Sequence, residues 1–208
     1  MAEKIDLLEP LGVSAATPST ILLAQMAESF RAKRVLDLGT GTGYVGIYLS
    51  KRGSRVEAID ISPRAVEVAT ENAIESGTSM LVYQSDLFGN VKGKFDLIVW
   101  NAPVGDAKGS RFFDILKSII RKTPVIYKMA QYVTYWKYLE ERINIDKLTV
   151  LESKKFLEVG GVLLMLILDG EESAIASLAR EQGYSVEVVD SSALRESVKA
   201  KFLVMRKL

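Results

Sequence analysis

Residues 34–46, RVLDLGTGTGYVG, constrain the fold more than any other part of the chain. A mostly apolar run of strand length turns through Gly39, Gly41 and Gly43 straight into the helical pattern YVGIYLS. A buried strand that feeds a helix in this way opens a βαβ unit, and βαβ units build parallel sheets. The three alternating glycines permit a tight turn and let a ligand approach the backbone closely. Gly41, Gly43 and Gly46 also satisfy the G-x-G-x-x-G spacing of dinucleotide-binding domains, so the glycines alone do not name a ligand. A plain strand-to-helix turn is the other reading they allow.

The rest of the chain extends the pattern. Strands are predicted at 34–39, 55–60, 80–86, 95–101, 160–169, 184–190 and 201–207, with helices at about 43–52, 63–76 and 171–182. Ser62 and Pro63 read as N-cap and first residue of the second of these helices. Gly53, Gly77 and Gly183 stand where the three helices must stop. Between the last two strands lies only SSALRESVKA, too short for a parallel crossover, so the final pair is antiparallel. The expected fold is an α/β domain with a Rossmann-like, seven-stranded, mostly parallel sheet, an antiparallel last strand and helices on both faces. A single domain over 1–208 accounts for the length. It includes an N-terminal helical region at 15–33, capped around Thr17, and a helical insertion at 108–158 after the fourth strand, built as substrate-binding structure or lid.

The chain has no cysteine and no histidine. Disulfides, thiolate nucleophiles and imidazole acid–base chemistry are excluded, and no metal site is expected. The longest apolar run, GGVLLMLIL, is too short to span a bilayer, and MAEKIDLLEP has no cleavable signal pattern, so a cytoplasmic protein is expected. Between Lys108 and Lys155, eleven Lys/Arg face five Asp/Glu, although the whole chain carries only +1. That asymmetry suits either a polyanion-facing surface or a solvated helical face. The segment 125–143 holds Tyr127, Tyr132, Tyr135, Trp136 and Tyr138, interleaved with Lys128, Lys137 and Arg142. It can stack bases, cover the site as a lid, or bury a dimer or partner-subunit contact.

Asp37 narrows the ligand. A loop that holds pyrophosphate offers amides and a helix N-terminus to a dianion, and a carboxylate two residues before the first glycine opposes that. The same carboxylate suits S-adenosylmethionine, which carries a sulfonium and an ammonium and no phosphate.

VLDLGTGTGYVG resembles the first motif of the class I S-adenosylmethionine-dependent methyltransferases, whose seven-stranded sheet also ends in an antiparallel hairpin. The resemblance implies a cofactor site formed by Asp37, Gly39, Gly41 and Gly43, with Asp60 on the ribose hydroxyls and Ile61 beside it. It further implies Asp86 at the adenine amino group, with Leu87 over the ring. NAPV at 101–104 resembles the (N/D)-P-P-(Y/F) motif of methyltransferases acting on conjugated nitrogens, with Ala102 and Val104 as departures from it. Within the class, the chain is most similar to the release-factor glutamine and rRNA guanine-amine N-methyltransferases. TPSTILL resembles a P-x-T-x-L-L segment of the glutamine enzymes and adds Thr20 as a cofactor contact.

The expected reaction is methyl transfer to a nitrogen of RNA or protein, with RNA slightly favoured. Asn101, Ala102 and Pro103 form the catalytic segment, in which the Asn101 side chain and the Ala102 carbonyl accept the acceptor's amino hydrogens. Asn101 also borders the cofactor. An NAD-binding Rossmann oxidoreductase and a catalytically silent cofactor-binding subunit are the competing readings.

Overall fold

The computed structural model describes residues 5, 7–10, 13–101, 143–167, 170–190 and 201–208. The aromatic segment 125–143, apart from its last residue, and the NAPV positions after Asn101 lie outside the described residues. So do residues 191–200.

Seven strands form one sheet: β1 (Arg34–Leu38), β2 (Arg55–Asp60), β3 (Leu81–Gln84), β4 (Phe95–Asn101), β5 (Leu157–Ile167), β6 (Tyr184–Asp190) and β7 (Lys201–Lys207). Their order is β3-β2-β1-β4-β5-β7-β6. β1 to β5 pair in parallel, and β7 runs antiparallel to both β5 and β6. The mostly parallel sheet with an antiparallel last strand is therefore present.

Helices cover both faces. On one side lie α1 (Pro18–Ser29), α2 (Tyr44–Ser50) and α3 (Pro63–Glu75), with Leu22, Leu23, Ile47, Leu49 and Ala73 packed on Val35, Leu97 and Val99. On the other lie α4 (143–156) and α5 (Glu172–Glu181), where Val150, Ile175 and Ala179 meet Leu36, Ile98 and Leu163. Period-two alternation along β1 and β4 thus deals successive side chains to two separate cores. Among the described residues no helix is long and apolar enough to cross a membrane.

β1 ends at Leu38 and β3 spans only Leu81–Gln84, both shorter than the expected 34–39 and 80–86, and two larger differences stand beside these. β5 begins at Leu157, before the Gly160–Gly161 pair, which reads as a strand boundary in the sequence. The pairing register shifts between Phe95 and Leu97, and Gly160 sits at φ +76°. The two glycines mark a bulge within a continuing strand. The second difference concerns the 108–158 segment. Residues 143–156 are a helix packed on the sheet through Asp146, Thr149, Val150 and Ser153, all fully buried. This helix leads directly into β5 and occupies the crossover position of the sheet.

Candidate functional site

The chain winds from β1 outward to β2 and β3, then returns to place β4 on the other flank of β1. Ligands of open α/β sheets bind at such a switch point, beyond the strand C-termini. Here a cavity of about 540 Å³ opens there.

Asp37, next to last in β1, faces the α2 side and lines the cavity at 2% exposure. Its Oδ2 accepts the Thr40 hydroxyl at 2.6 Å and the Gly46 N–H at 3.0 Å. Burial pushes the carboxyl up to about 6; the two hydrogen bonds hold it down in part, and the Asp60 charge adds to the rise. Gly46 is a close-packing position: a Cβ there would lie 2.3 Å from Met80 Sδ and 3.2 Å from Asp37 Oδ2.

The glycine turn follows. Gly41, at φ +55°, is overlaid by the N-terminal segment, so a Cβ would stand 3.0 Å from the Ser14 carbonyl oxygen. Gly43, at φ +88°, is the N-cap of α2 and shapes the turn without lining the cavity. Asp60, ending β2, receives the Gly41 N–H at Oδ2 (3.0 Å) and the Ser62 N–H at Oδ1 (2.9 Å). Ile61 beside it is 61% exposed and borders the opening.

After β3, Asp86 and Leu87 both border the cavity. Leu87 has φ +41°, a left-handed conformation that costs a branched side chain about 1–2 kcal/mol. Ser85 holds it: buried, its Oγ donates to the Leu87 carbonyl at 2.8 Å and accepts the Asn90 N–H at 3.0 Å. Asn101 ends β4 on the same face as Asp37, and its Nδ2 donates to Thr20 Oγ1 at 3.0 Å.

The cavity therefore gathers Thr20, Asp37, Gly39, Gly41, Asp60, Ile61, Asp86, Leu87 and Asn101 from five separate segments of the sequence. Several lining residues escaped the sequence reading. Ser85 adjoins Asp86 at a strand end, a position that marks it in retrospect. Trp100 points to the opposite face from Asn101, as strand alternation requires, yet its ring reaches across Gly39 to the cavity. Its indole N–H donates to the buried Asp146 carboxylate. Ile145 and Leu148 border the opening from α4, and residues 13–17 border it from the N-terminal segment. No sequence pattern signals either. Among the described residues, the charged side chains lining the cavity are Asp37, Asp60 and Asp86; no lysine or arginine joins them.

A seven-stranded α/β domain with carboxylates at successive strand ends around a glycine turn defines a cofactor-binding domain of the Rossmann-like class. The methyltransferase small domain family model matches residues 15–129, and the chain belongs to that family. It is 39% identical over 97 residues to a putative protein N5-glutamine methyltransferase of Methanocaldococcus jannaschii, covering 46% of this chain and 49% of that one. It is 32% identical over 95 residues to ribosomal RNA small subunit methyltransferase C of Alcanivorax borkumensis, covering 46% of this chain and 29% of the relative. The match thus spans about half of the first relative and under a third of the second. Among solved structures, a methyltransferase from Pyrococcus furiosus superposes with a TM-score of 0.69 at 16% identity, over 98% of this chain and 89% of that one.

Proposed function

We propose that this protein is an S-adenosylmethionine-dependent methyltransferase that transfers a methyl group to a conjugated nitrogen of RNA or protein, RNA being the favoured acceptor. The observation that carries the cofactor is the purely carboxylate charge of the cavity lining among the described residues. A pyrophosphate would meet three aspartates there and no cation; a sulfonium and an ammonium meet complementary charge.

S-adenosylmethionine, when bound, supplies an electrophilic methyl group for an in-line displacement that needs no metal and no strong base. The protein's part is binding and aim. Asp37 lies beside the glycine turn as counter-charge for the ammonium. Asp60, already fixed by two backbone N–H groups, offers its remaining lone pairs to the ribose hydroxyls. Asp86 accepts from the adenine amino group, with Leu87 and Ile61 as apolar walls. Asn101 Oδ1 and the Ala102 carbonyl accept the acceptor's amino hydrogens, orienting its lone pair and stabilising the positive charge that develops, while Pro103 stiffens the segment. The excess of Lys and Arg between 108 and 155 supports RNA as acceptor. The 125–143 aromatic segment is proposed to bind it or to cover the site, or else to form a dimer or partner contact. A cytoplasmic location suits either acceptor.

Calorimetry with S-adenosylmethionine, S-adenosylhomocysteine and NAD tests the cofactor; binding of the first two and not of NAD is expected. Binding of NAD alone would replace this reading with the oxidoreductase one. Incubation with methyl-labelled cofactor and a cell extract, fractionated into RNA, protein and small molecules, tests the acceptor. Label in RNA is expected. Label in protein alone selects the other acceptor class, and cofactor binding without any label indicates a silent subunit.

A further inference from the structure

The side-chain amide of Asn101 reaches the cavity already tied at one end. Its Nδ2 donates to Thr20 Oγ1, joining the end of β4 to the first turn of α1 across 81 positions of sequence. Thr20 is itself held by a reciprocal capping box. The Thr17 N–H donates to Thr20 Oγ1 at 3.2 Å, and the Thr20 N–H returns to Thr17 Oγ1 at 3.3 Å. The two hydroxyl oxygens stand 3.0 Å apart.

A hydroxyl has two lone pairs and one proton. The lone pairs of Thr20 Oγ1 are occupied by the Thr17 N–H and the Asn101 amide, which leaves its proton for Thr17 Oγ1. At 6% exposure the hydroxyl is saturated within the protein. It therefore has no lone pair to offer a bound molecule, and its free choice of partner has been used on Asn101. With Nδ2 turned to Thr20, Oδ1 is the opposite end of the amide. The reverse setting would present Nδ2–H donors to an amino group that also donates, forming no bond and opposing approach.

We propose that Thr20, fixed by its capping box with Thr17, is a positioning residue that sets the Asn101 amide with Oδ1 toward the acceptor nitrogen. The proposal rests on the reading of Asn101 as the acceptor-binding residue. It replaces direct cofactor contact as the role of the Thr20 hydroxyl.

The first test uses nuclear magnetic resonance of the whole protein and requires no substrate. The Asn101 side-chain protons are expected to exchange slowly with water in the wild type. Thr20→Val, which keeps the shape and removes the hydroxyl, is expected to accelerate that exchange about tenfold or more, and Thr20→Ser to restore it. Wild-type protons exchanging at free-amide rates overturn the proposal even if the valine variant fails to fold.

The second test follows methyl transfer from labelled S-adenosylmethionine to the RNA and protein fractions of a cell extract. Thr20→Val is expected to lower the turnover rate about 10- to 100-fold, the cost of a misaimed acceptor, with cofactor affinity within about twofold of wild type. In an Asn101→Ala background Thr20→Val is expected to cause no further loss. Losses that multiply in the double variant overturn the proposal, as does a fall in cofactor affinity that matches the fall in rate. If Asn101→Ala keeps full turnover, the Asn101 reading itself fails. If Asn101→Ala is inactive while Thr20→Val matches wild type, only the Thr20 proposal fails.

Discussion

The indole of Trp100 lies over Gly39, so close that a Cβ on Gly39 would sit 3.1 Å from Cζ3. The ring has little room to yield: it is 4% exposed, and its N–H is bonded to Asp146 on α4. Gly39 also holds φ +68°, a left-handed conformation that a side chain resists. Gly39→Ala therefore meets both strain and overpacking. It is expected to lower the free energy of unfolding by about 1–3 kcal/mol and to displace the turn from the cofactor. Urea unfolding and calorimetry with S-adenosylmethionine check this pair of effects. A stability loss with unchanged cofactor affinity would separate the turn from the cofactor.

Asp60 does two jobs in the proposed site. It organises the loop through the Gly41 and Ser62 amides and keeps lone pairs for the ribose. In Asp60→Asn, one of the two backbone N–H groups faces an amide NH₂ instead of an oxygen. The expected loss of affinity is about 1.5–3 kcal/mol, the scale of a hydrogen bond to a charged group. Both S-adenosylmethionine and S-adenosylhomocysteine carry the ribose, so both are expected to weaken equally. Selective weakening of the sulfonium ligand would make Asp60 a charge partner instead of a ribose ligand.

How much of this was legible in the sequence follows from range of interaction. The bounds of β2, β4, β6 and β7 match the expectation residue for residue: FDLIVWN in β4 is largely buried on both faces and admits little else, while the mostly exposed edge strand β6 is legible from its β-branched run after Gly183. The antiparallel β7 follows from loop length alone. The start of β5 was missed because a bulge and a strand boundary carry the same Gly-Gly signal. At the site, the strand-end places of Asp37, Asp60 and Asn101 are readable, since strand C-termini have a fixed location in such sheets, whereas Asp86 lies in the turn two residues past the end of β3. Their partners were not. The Asn101 contact with Thr20 and the Trp100 contact with Asp146 span 81 and 46 positions, and only the packed fold brings them together. The helix at 143–156 reads as part of the insertion, because its amphipathic pattern does not say which surface it covers.

Ser85 fixes the turn that presents Leu87. Its Oγ satisfies the Leu87 carbonyl and the Asn90 N–H from a nearly fully buried position. Ser85→Ala leaves both groups short of a partner, for an expected cost of about 1–3 kcal/mol in unfolding free energy. Leu87 would also be free to leave φ +41°. Adenosine, which probes the adenine and ribose part of the cavity alone, is expected to bind about tenfold more weakly. Equal adenosine affinity in calorimetry would remove Leu87 from the proposed adenine wall.

Asp37 makes stability depend on pH, and as the proposed counter-charge of the ammonium it is expected to make cofactor binding do so too. Burial raises its folded pKa from 3.8 to about 6. Between those values the folded protein retains a proton that the unfolded chain has released. The stabilisation is therefore complete below the unfolded value and is lost as pH rises through about 6, a change of about 3 kcal/mol in the ligand-free protein. Asp37→Asn is expected to abolish this slope in pH-dependent chemical denaturation. A cofactor whose ammonium lies beside Asp37, as proposed, is expected to act in the opposite sense, because a nearby cation favours the carboxylate. Binding below about pH 6 should then release a proton, and affinity should rise with pH until the carboxyl is ionised. Calorimetry at about pH 5.5 in two buffers of different ionisation enthalpy measures that proton directly. Heats that differ between the buffers in the wild type, and agree in Asp37→Asn, are expected. Equal heats in the wild type would show that Asp37 does not face the cationic end of the cofactor.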